Sequence, residues 1–468
     1  MSTPKKTNIH AGGEEWRDMD HGRDFYRPED HDDILREARS RIQAERMSTV
    51  RLRLVDRKGD PVARQRCRIE QVRNAFPFGD QLWGIDAMNR DGRGQSERAK
   101  AAKRLFAELY NSANNLCYWT ERPRHDASKT EERQGEWLLE NFAESVDWTI
   151  SQGMIAKGHP LFWTVPKAVP EWIKRYDYET RLKFAEVRVR NIVARFKGRV
   201  KIWDAVNEPM WEPTFANINQ REWPHIEKIS AIADYVEKVL RWCREEDPNA
   251  TYLINDYGME EPEGKGAVHT GNDGSKVSAA SQRRRYIELF QELERRGVPA
   301  DGVGMQSHTG WVDHRQQWEL YDEMAETGLP VHITEFWAST KELEKSGRYS
   351  PQVIQELVAE YVANYITCAY AHHNVEAFFA WGLIGAGVTF HGEYGGHDTL
   401  PLYNRMKELF HKEWMTRRET ESDAEGIVEF RGFHGDYNCL VPLEGGNEKG
   451  LPFQVAKGSR NEWEITCL

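Results

Sequence analysis

The chain has 468 residues, enough to bury a large core either as two or more ordinary domains or as one large α/β barrel with a small appendage. Its 64 Lys and Arg against 75 Asp and Glu leave a net charge of −11, spread along the chain, which argues against a nucleic-acid or anionic-membrane partner because both require a basic face. Six scattered cysteines (Cys67, Cys117, Cys243, Cys368, Cys439 and Cys467) show no CxxC spacing, which argues against a zinc knuckle and leaves a disulfide framework unnecessary at this size. No apolar run is long enough to span a bilayer.

Residues 1–30 are polar, with Gly12-Gly13 and several His and Asp, and read as a loose arm. The stretch Met1 to Glu15 holds Lys5-Lys6 but no apolar segment after them, so it is not an intact signal peptide. An intracellular protein and one whose leader has been removed both fit, and the sequence sets neither cellular address nor oligomeric state. Residues 31–46 carry strong helix formers behind Asp32-Asp33 and predict a helix. Val50–Val55 alternates, Asp56–Asp60 reads as a turn, and Val62–Val72 alternates again, which predicts a hairpin. Near the other end, Gly426–Phe433 and Tyr437–Pro442, with Gly435-Asp436 between them, predict a second one. Paired, these two segments would form a small β-sandwich-like accessory unit. The expected division is an arm and helix (1–46), a β segment (47–75) pairing with 416–468, and a body (76–415).

Within the body, apolar strand-like runs alternate with amphipathic stretches. The predicted strands are 76–84, 116–119, 155–163, 200–207, 251–256, 302–308, 330–335 and 375–383, and most are separated by helices such as 136–151, 181–195, 229–246, 280–296 and 351–372. Arg283-Arg284-Arg285 reads as the solvated start of one of these. Eight successive β/α units with nearly continuous apolar strands predict a closed parallel (β/α)8 TIM barrel. An open doubly wound sheet is the competitor, but no GxGxxG follows a first strand and no P-loop is present.

Barrels place chemistry at the C-terminal ends of their strands. There the chain puts His159 and Trp163 (third strand), Asn207 and Glu208 (fourth), Asn255 and Asp256 (fifth), Gln306 and His308 (sixth), Glu335 (seventh) and Trp381 (eighth). Each alone has a bland reading: a strand-end carboxylate can cap the next helix, and a single His or Trp is commonly packing. Their shared position at one rim favours function. Two carboxylates from two strand ends are what cleavage of a glycosidic bond requires.

The motifs Gly158-His-Pro-Leu-Phe-Trp163, Trp203-Asp-Ala-Val-Asn-Glu208, Leu253-Ile-Asn-Asp-Tyr257, Gly304-Met-Gln-Ser-His308 and Ile333-Thr-Glu335 resemble those of the family 10 glycoside hydrolases, the (β/α)8-barrel endo-β-1,4-xylanases. The resemblance covers about residues 76–415, in the family's motif order. It implies Glu208 as acid/base and Glu335 as nucleophile, with no cofactor and no metal. It further implies that Asn207 binds the 2-hydroxyl of the sugar and that His308, with Gln306 beside it, bonds the nucleophile region. His159 and Trp163 would line the subsite, and Trp381 would be its floor. The 17 Trp and 17 Tyr suit a cleft that stacks sugar rings, although barrels also use aromatics as packing.

Departures fall at the second strand, where the family pattern Glu-Asn-x-x-Lys-Trp is met by Asn114-Asn115-Leu116-Cys117-Tyr118-Trp119. Asn115, Tyr118 and Trp119 are therefore the expected substrate contacts of a rebuilt glycone side. Thr164 stands where a histidine is usual, and Phe336-Trp337 where Leu-Asp follows the nucleophile. His391, His397 and Asp398 could suggest a metal, but their Gly-rich setting reads as a rim loop. The expected activity is retaining hydrolysis of β-glycosidic bonds in a xylan-like or decorated polysaccharide or oligosaccharide. The rivals are a carbohydrate-binding barrel without catalysis, a glycosidase of the same mechanism acting on a non-xylan glycan, and a metal-dependent barrel hydrolase.

Overall fold

The structure, a computed structural model, describes residues 25–82, 97–120, 129–131, 133–220, 222–261, 267–308, 311–383, 399–443 and 447–467. Most of the N-terminal arm, and His391, His397 and Asp398, lie outside these residues. In chain order, helix α1 (Asp32–Arg46) leads into strands β1 (Met47–Val55) and β2 (Arg66–Asn74). The body begins with β3 (Phe78–Gln81), α2 (Glu97–Leu109), β4 (Ser112–Leu116), α3 (Glu140–Ser151), β5 (Ile155–His159) and β6 (Phe162–Trp163). It continues with α4 (Tyr178–Arg195), β7 (Val200–Asn207), α5 (Ile229–Glu246), β8 (Thr251–Asp256), the short β9 (His269–Thr270) and β10 (Lys276–Val277), and α6 (Ala279–Arg295). Then come β11 (Gly302–Met305), α7 (His314–Met324), β12 (Val331–Phe336), α8 (Lys341–Ser346), α9 (Pro351–Ala371), β13 (Val375–Ala380) and α10 (Pro401–Glu408).

Strands β3, β4, β5, β7, β8, β11, β12 and β13 pair in parallel in that order, and β13 returns to β3 through Phe378 opposite Phe78. This is the expected (β/α)8 barrel. Its strands read as apolar runs because both faces are covered. Helix α5 shows the outer layer's logic: Ile232, Val236, Val239, Leu240 and Cys243, three or four residues apart, are its buried stripe. Ile202, Leu253, Ala377 and Phe379 plug the barrel's lower interior, leaving the upper layers to polar side chains.

The chain ends form the second unit. Strands β14 (Arg417–Glu421), β15 (Ile427–Phe433), β16 (Gly435–Pro442), β17 (Glu448–Val455) and β18 (Glu462–Thr466) join β1 and β2 in two sheets, β15-β1-β18 and β14-β2-β16-β17. Val50, Leu52, Ile69, Phe430, Tyr437, Cys439 and Phe453 share the core between them. The expected sandwich is present, but neither expected hairpin exists. Strand β1 pairs with β15 and β2 with β16, so each turn carries the chain from one sheet to the other. Alternation reports a half-buried strand, not its partner. At Gly435, where the second crossing occurs, φ is +149° and a Cβ would collide with the Arg73 carbonyl oxygen.

The second strand lies earlier than expected, at β4, because its Ser and two Asn have weak strand preference while the apolar Leu116–Trp119 run does not. The third is interrupted: after β5, Pro160 offers no N–H, and pairing resumes at β6. The sixth ends at Met305, since Ser307 is left-handed (φ +56°). Arg283 is buried rather than solvated, donating to the carbonyls of Met259 and Glu261 and bonding Glu323. Among the described residues no helix is long and apolar enough to cross a membrane.

Candidate active site

Strand β7 delivers Glu208 just past its last residue, in a left-handed conformation (φ +55°) that turns the side chain over the barrel mouth. The kink is held from both sides. Glu208 donates its N–H to the Asn255 carbonyl at 2.7 Å, and buried Asp256 accepts the Met210 N–H at 2.8 Å. The Glu208 carboxyl accepts from Trp163 Nε1 at 2.7 Å and from Gln306 Nε2 at 2.9 Å. Glu335, near the end of β12, accepts from Asn255 Nδ2 at 2.7 Å and lies 3.0 Å from His308 Nε2. Asn255 also donates to Asn207 Oδ1 at 2.8 Å, and Thr334 donates to Asn255.

One tripeptide therefore serves both carboxyls, Gln306 holding Glu208 and His308 holding Glu335. Two residues apart on a regular strand they would share a face but not splay toward two targets. The left-handed Ser307 between them supplies the turn. Ser307 donates its N–H to Glu260 Oε1 at 2.7 Å, and Glu260 Oε2 accepts the Met259 N–H at 2.9 Å. A non-glycine left-handed residue costs of order 1 kcal/mol and persists only when its surroundings impose it. Glu260 is what imposes it here.

The electrostatics separate the two carboxyls. Burial pushes Glu208 up to about 7; Gln306 opposes this, and the charges of Glu335 and Glu212 add to it. Burial would raise Glu335 too, but His159 and His308 outweigh it and hold the group below the usual carboxylate range. Burial would lower His308, yet Glu335, Glu260 and Glu208 keep it above its ordinary value. Beneath, Asp204 is held low, since Lys157 and His159 outweigh its burial. Lys157 Nζ lies against Asp204 Oδ2, and His159 Nδ1 bonds the same oxygen at 2.7 Å. His159 Nδ1 is also 3.7 Å from Glu335, a charge contact rather than a hydrogen bond. Two carboxyls driven apart in this way are suited to opposite roles, one protonated and one ionised near neutrality.

Of the expected site residues, His159, Trp163, Asn207, Glu208, Gln306, His308, Glu335 and Trp381 come together at this rim. The Trp381 ring meets His159 edge-on at 5.2 Å and His308 at 6.1 Å, covering both. Tyr118 joins them, 5.8 Å from the rings of His159 and Trp163. Asn115 and Trp119 do not. Asn115 faces outward, accepting from Ser145 and Thr149 of α3, because alternate strand residues point to opposite faces. Trp119 donates to Glu131 at 2.8 Å and packs near Phe162, Trp172 and Phe215, with the buried Arg188 over its ring. Both are wall residues. Asn114, opposite Asn115, is fully buried, and its amide has no partner among the described residues.

Sequence reasoning placed Asn255 at the rim without a specific role and missed Asp204, Lys157, Glu260 and Glu212. The first two sat inside quoted motifs, Lys157 directly precedes Gly158, and Glu260 follows Tyr257 by three residues. His159, Asp204 and Glu335 place ligand atoms within 4.8 Å of one another and could hold a cation, but the Lys157 ammonium already occupies Asp204. A second group, Asp322, His372 and His373, lies on the outer face of the barrel. There His372 accepts the Asn374 N–H on Nδ1, which leaves the proton on the nitrogen facing Asp322.

The profile of glycosyl hydrolase family 10 matches residues 120–391, and the chain belongs to this family. It is 30% identical over 264 residues to endo-1,4-beta-xylanase B of Thermotoga neapolitana, covering 56% of this chain and 64% of that protein. It is 24% identical over 430 residues to anti-sigma-I factor RsgI6 of Acetivibrio thermocellus, covering 90% of this chain and 48% of that protein. The chain thus spans about half to two thirds of the lengths of these two relatives. Among solved structures, xylanase 10B from Thermotoga petrophila in complex with xylobiose is similar in fold, with a TM-score of 0.53 at 22% identity over 72% of this chain and 95% of that one.

Proposed function

We propose that the chain is a retaining β-glycoside hydrolase acting on a xylan-like or decorated polysaccharide or oligosaccharide. The observation that carries this reading is the meeting of a partly buried Glu208 and a buried Glu335 at one barrel mouth, held by different partners and displaced in opposite directions, Glu208 up to about 7 and Glu335 down. Glu335 attacks the anomeric carbon while Glu208 gives its proton to the departing glycosidic oxygen, releasing the leaving-group sugar and forming a glycosyl ester on Glu335. Esterification removes the Glu335 charge that had raised Glu208. Glu208, now the stronger acid, stays ionised until it takes a proton from water. That water attacks the anomeric carbon, breaks the ester and frees a sugar of unchanged anomeric configuration. His159 and His308 keep Glu335 ionised against its burial and the Asp204 charge. Lys157 pairs with Asp204 beneath them, and Asn255 and Gln306 orient the two carboxyls. The xylanase relatives and the xylobiose-bound neighbour support a xylan-like substrate, while Tyr118 and Asn114 support a modified glycone.

The test is a product profile over linear and decorated β-glycans with NMR of the anomeric proton, together with Glu335→Gln. Retained configuration, and at least about a 10³-fold loss of turnover in a folded Glu335→Gln protein, are expected. An inverted product, or a variant with wild-type turnover, would sink the reading.

A further inference from the structure

Beyond Glu260, the long hydrophilic loop after the fifth barrel strand has no part in the mechanism above. Its described portion carries the antiparallel β9/β10 hairpin, with Lys276 opposite Thr270 and a tight turn closed by Gly271 N–H to Ser275 O at 2.9 Å. The hairpin props the loop between β7 and α5. Asn272 donates its N–H to the Pro224 carbonyl at 3.1 Å and accepts the Ile226 N–H on Oδ1 at 2.6 Å.

Between these supports stands Trp223, 48% exposed. Its Nε1 donates to the Tyr257 hydroxyl at 2.8 Å, and that hydroxyl donates to Glu212 at 3.3 Å. The buried Trp211 ring lies nearly parallel to it, 5.8 Å away at 20°, and Trp211 also stacks on Tyr257 at 6.0 Å. His269, from the hairpin itself, meets Trp223 at 4.7 Å and 71°. A tryptophan whose only task is packing buries most of its ring. Here the polar edge is satisfied and the ring is fixed by neighbours, yet half its surface is left to solvent. Rigid, exposed aromatics of this kind bind with little loss of conformational entropy.

Its place on the rim identifies what it would meet. Glu208 gives its proton to the leaving oxygen, so the leaving-group sugars extend along the Glu208 side. Glu208 donates its N–H to the Asn255 carbonyl and Asp256 accepts the Met210 N–H. Tyr257 is the next residue, its carbonyl accepts from Trp211 Nε1, and it thus stands on the Glu208 side of the mouth. The chain Glu208, Glu212, Tyr257, Trp223 therefore runs outward on the leaving-group side. We propose that Trp223, set by the 269–277 hairpin, is a stacking subsite for a pyranose ring of the leaving-group portion of the polymer. This rests on the hydrolase reading and adds which residue grips the chain beyond the cleaved bond. Tyr257 and Trp211 act as its backing.

The test is a ladder of β-1,4-xylo-oligosaccharides, from xylobiose to xylohexaose, with cleavage positions assigned by mass spectrometry in ¹⁸O-labelled water. In the wild type, kcat/KM should rise once the leaving-group side is long enough to reach Trp223. In Trp223→Ala that rise should shrink by about tenfold, with part of it kept in Trp223→Phe. A Trp223→Ala protein that keeps the full rise overturns the subsite while leaving the hydrolase reading intact. Should the wild type cleave no member of the ladder, the hydrolase reading falls for this substrate, and calorimetric binding of xylohexaose decides the subsite. Weaker binding in Trp223→Ala supports it, and equal affinity overturns it.

Discussion

The barrel interior joins Lys157, Asp204, His159, Glu335 and His308 in one set of buried or partly buried ionisable groups linked by short contacts, with Glu208 held beside them by Gln306 and Trp163. The sandwich core is built from residues such as Val50, Leu52, Ile69, Tyr437 and Cys439, and the buried polar groups among its described residues are neutral or imidazole: Gln71, Asn74, Ser422, His434 and Asn461. Burying charge costs several kcal/mol per ion before any partner offsets it. The barrel carries that cost at its mouth and covers its lower interior with Ile202, Leu253 and Phe379. The sandwich core carries none, and holds together the two ends of the chain by apolar burial and strand pairing. Changes to the first region should therefore act on chemistry and pH dependence, and changes to the second on stability.

The largest effect on the charged side should follow Glu208→Ala. A sugar leaving group needs its proton, so turnover of an oligosaccharide should fall by about 10²–10⁴-fold, while an activated aryl glycoside should lose far less in its first step. Azide should restore turnover and give a glycosyl azide of the substrate's configuration; an inverted azide would reassign the residue. The pH profile follows from the same displacement. Glu208 must be protonated, so kcat/KM should decline as pH rises through about 7, and should fall on the acid side only below the usual carboxylate range, where Glu335 takes a proton. Stability has its own sign. A carboxyl whose folded value is raised binds protons more tightly when folded, so stability is lost between its ordinary value and about 7. Glu208→Gln should accordingly raise Tm at pH 8 relative to wild type, and more than it does at pH 4.

Between the two regions, the decisive joint is Arg46, a buried guanidinium. At the end of α1 it donates to the carbonyls of Tyr370, His372 and Val375, fastening the N-terminal segment to the barrel just before β1 departs. Arg46→Ala strands buried carbonyls and should cost about 3 kcal/mol in urea unfolding, with the pH profile of activity unchanged. Removing residues after Trp414 should likewise expose β1 and β2 to hydrogen exchange. Either protein melting like the wild type would show that the two units do not depend on one another.

Glu260 sharpens the comparison because its charge is buried at the site yet takes no proton from the substrate. Glu260→Gln keeps one acceptor for the Ser307 N–H but removes the negative charge facing His308. His308 is also faced by Glu335 and Glu208, and its ring is covered by Trp381. We expect kcat to fall by about tenfold with KM nearly unchanged, and the alkaline decline set by Glu208 to begin at lower pH because an earlier loss of the His308 proton now adds to it. A purely structural Glu260 would lower Tm without moving that limb.

What was legible in the sequence follows the same division. Val200–Asn207 and Ile229–Glu246 were readable to the residue, because apolar runs and helical spacing both signal burial directly. The rim residues were readable since carboxylates and amides at strand ends have no place in a plain core. Asn115 misled because a buried amide can serve Ser145 and Thr149 as well as a sugar, and one residue of register decides which. Strand partners in the sandwich were hidden, since β1 meets β15 across more than 370 residues of chain and alternation carries no information about partners. Glu260 was hidden because its task is to hold another residue's backbone.

The smallest predicted effect concerns the glycone side, where charge was expected and is missing. Asn114 lies on the barrel's inner face with neither amide atom partnered among the described residues, and Tyr118 stands beside His159 and Trp163. A glutamate and a lysine there would grip sugar hydroxyls through charge-assisted bonds, and an amide and a phenol ring replace them with a weaker acceptor and a flat apolar face. Losing one such bond typically costs about 1–3 kcal/mol, part of which a substituent lying on the Tyr118 ring can restore. Linear xylo-oligosaccharides should therefore be poorer substrates than decorated ones. Asn114→Glu with Tyr118→Lys should invert that preference by a few-fold to about tenfold in kcat/KM. Tyr118→Lys alone should lose the decorated substrate without gaining the linear one, because an ammonium placed near His159 without a new carboxylate adds repulsion before it adds grip. Wild-type preference for the linear chain, or a double variant whose ratio does not move, would show that these two positions do not set specificity and that the glycone is read elsewhere on the rim.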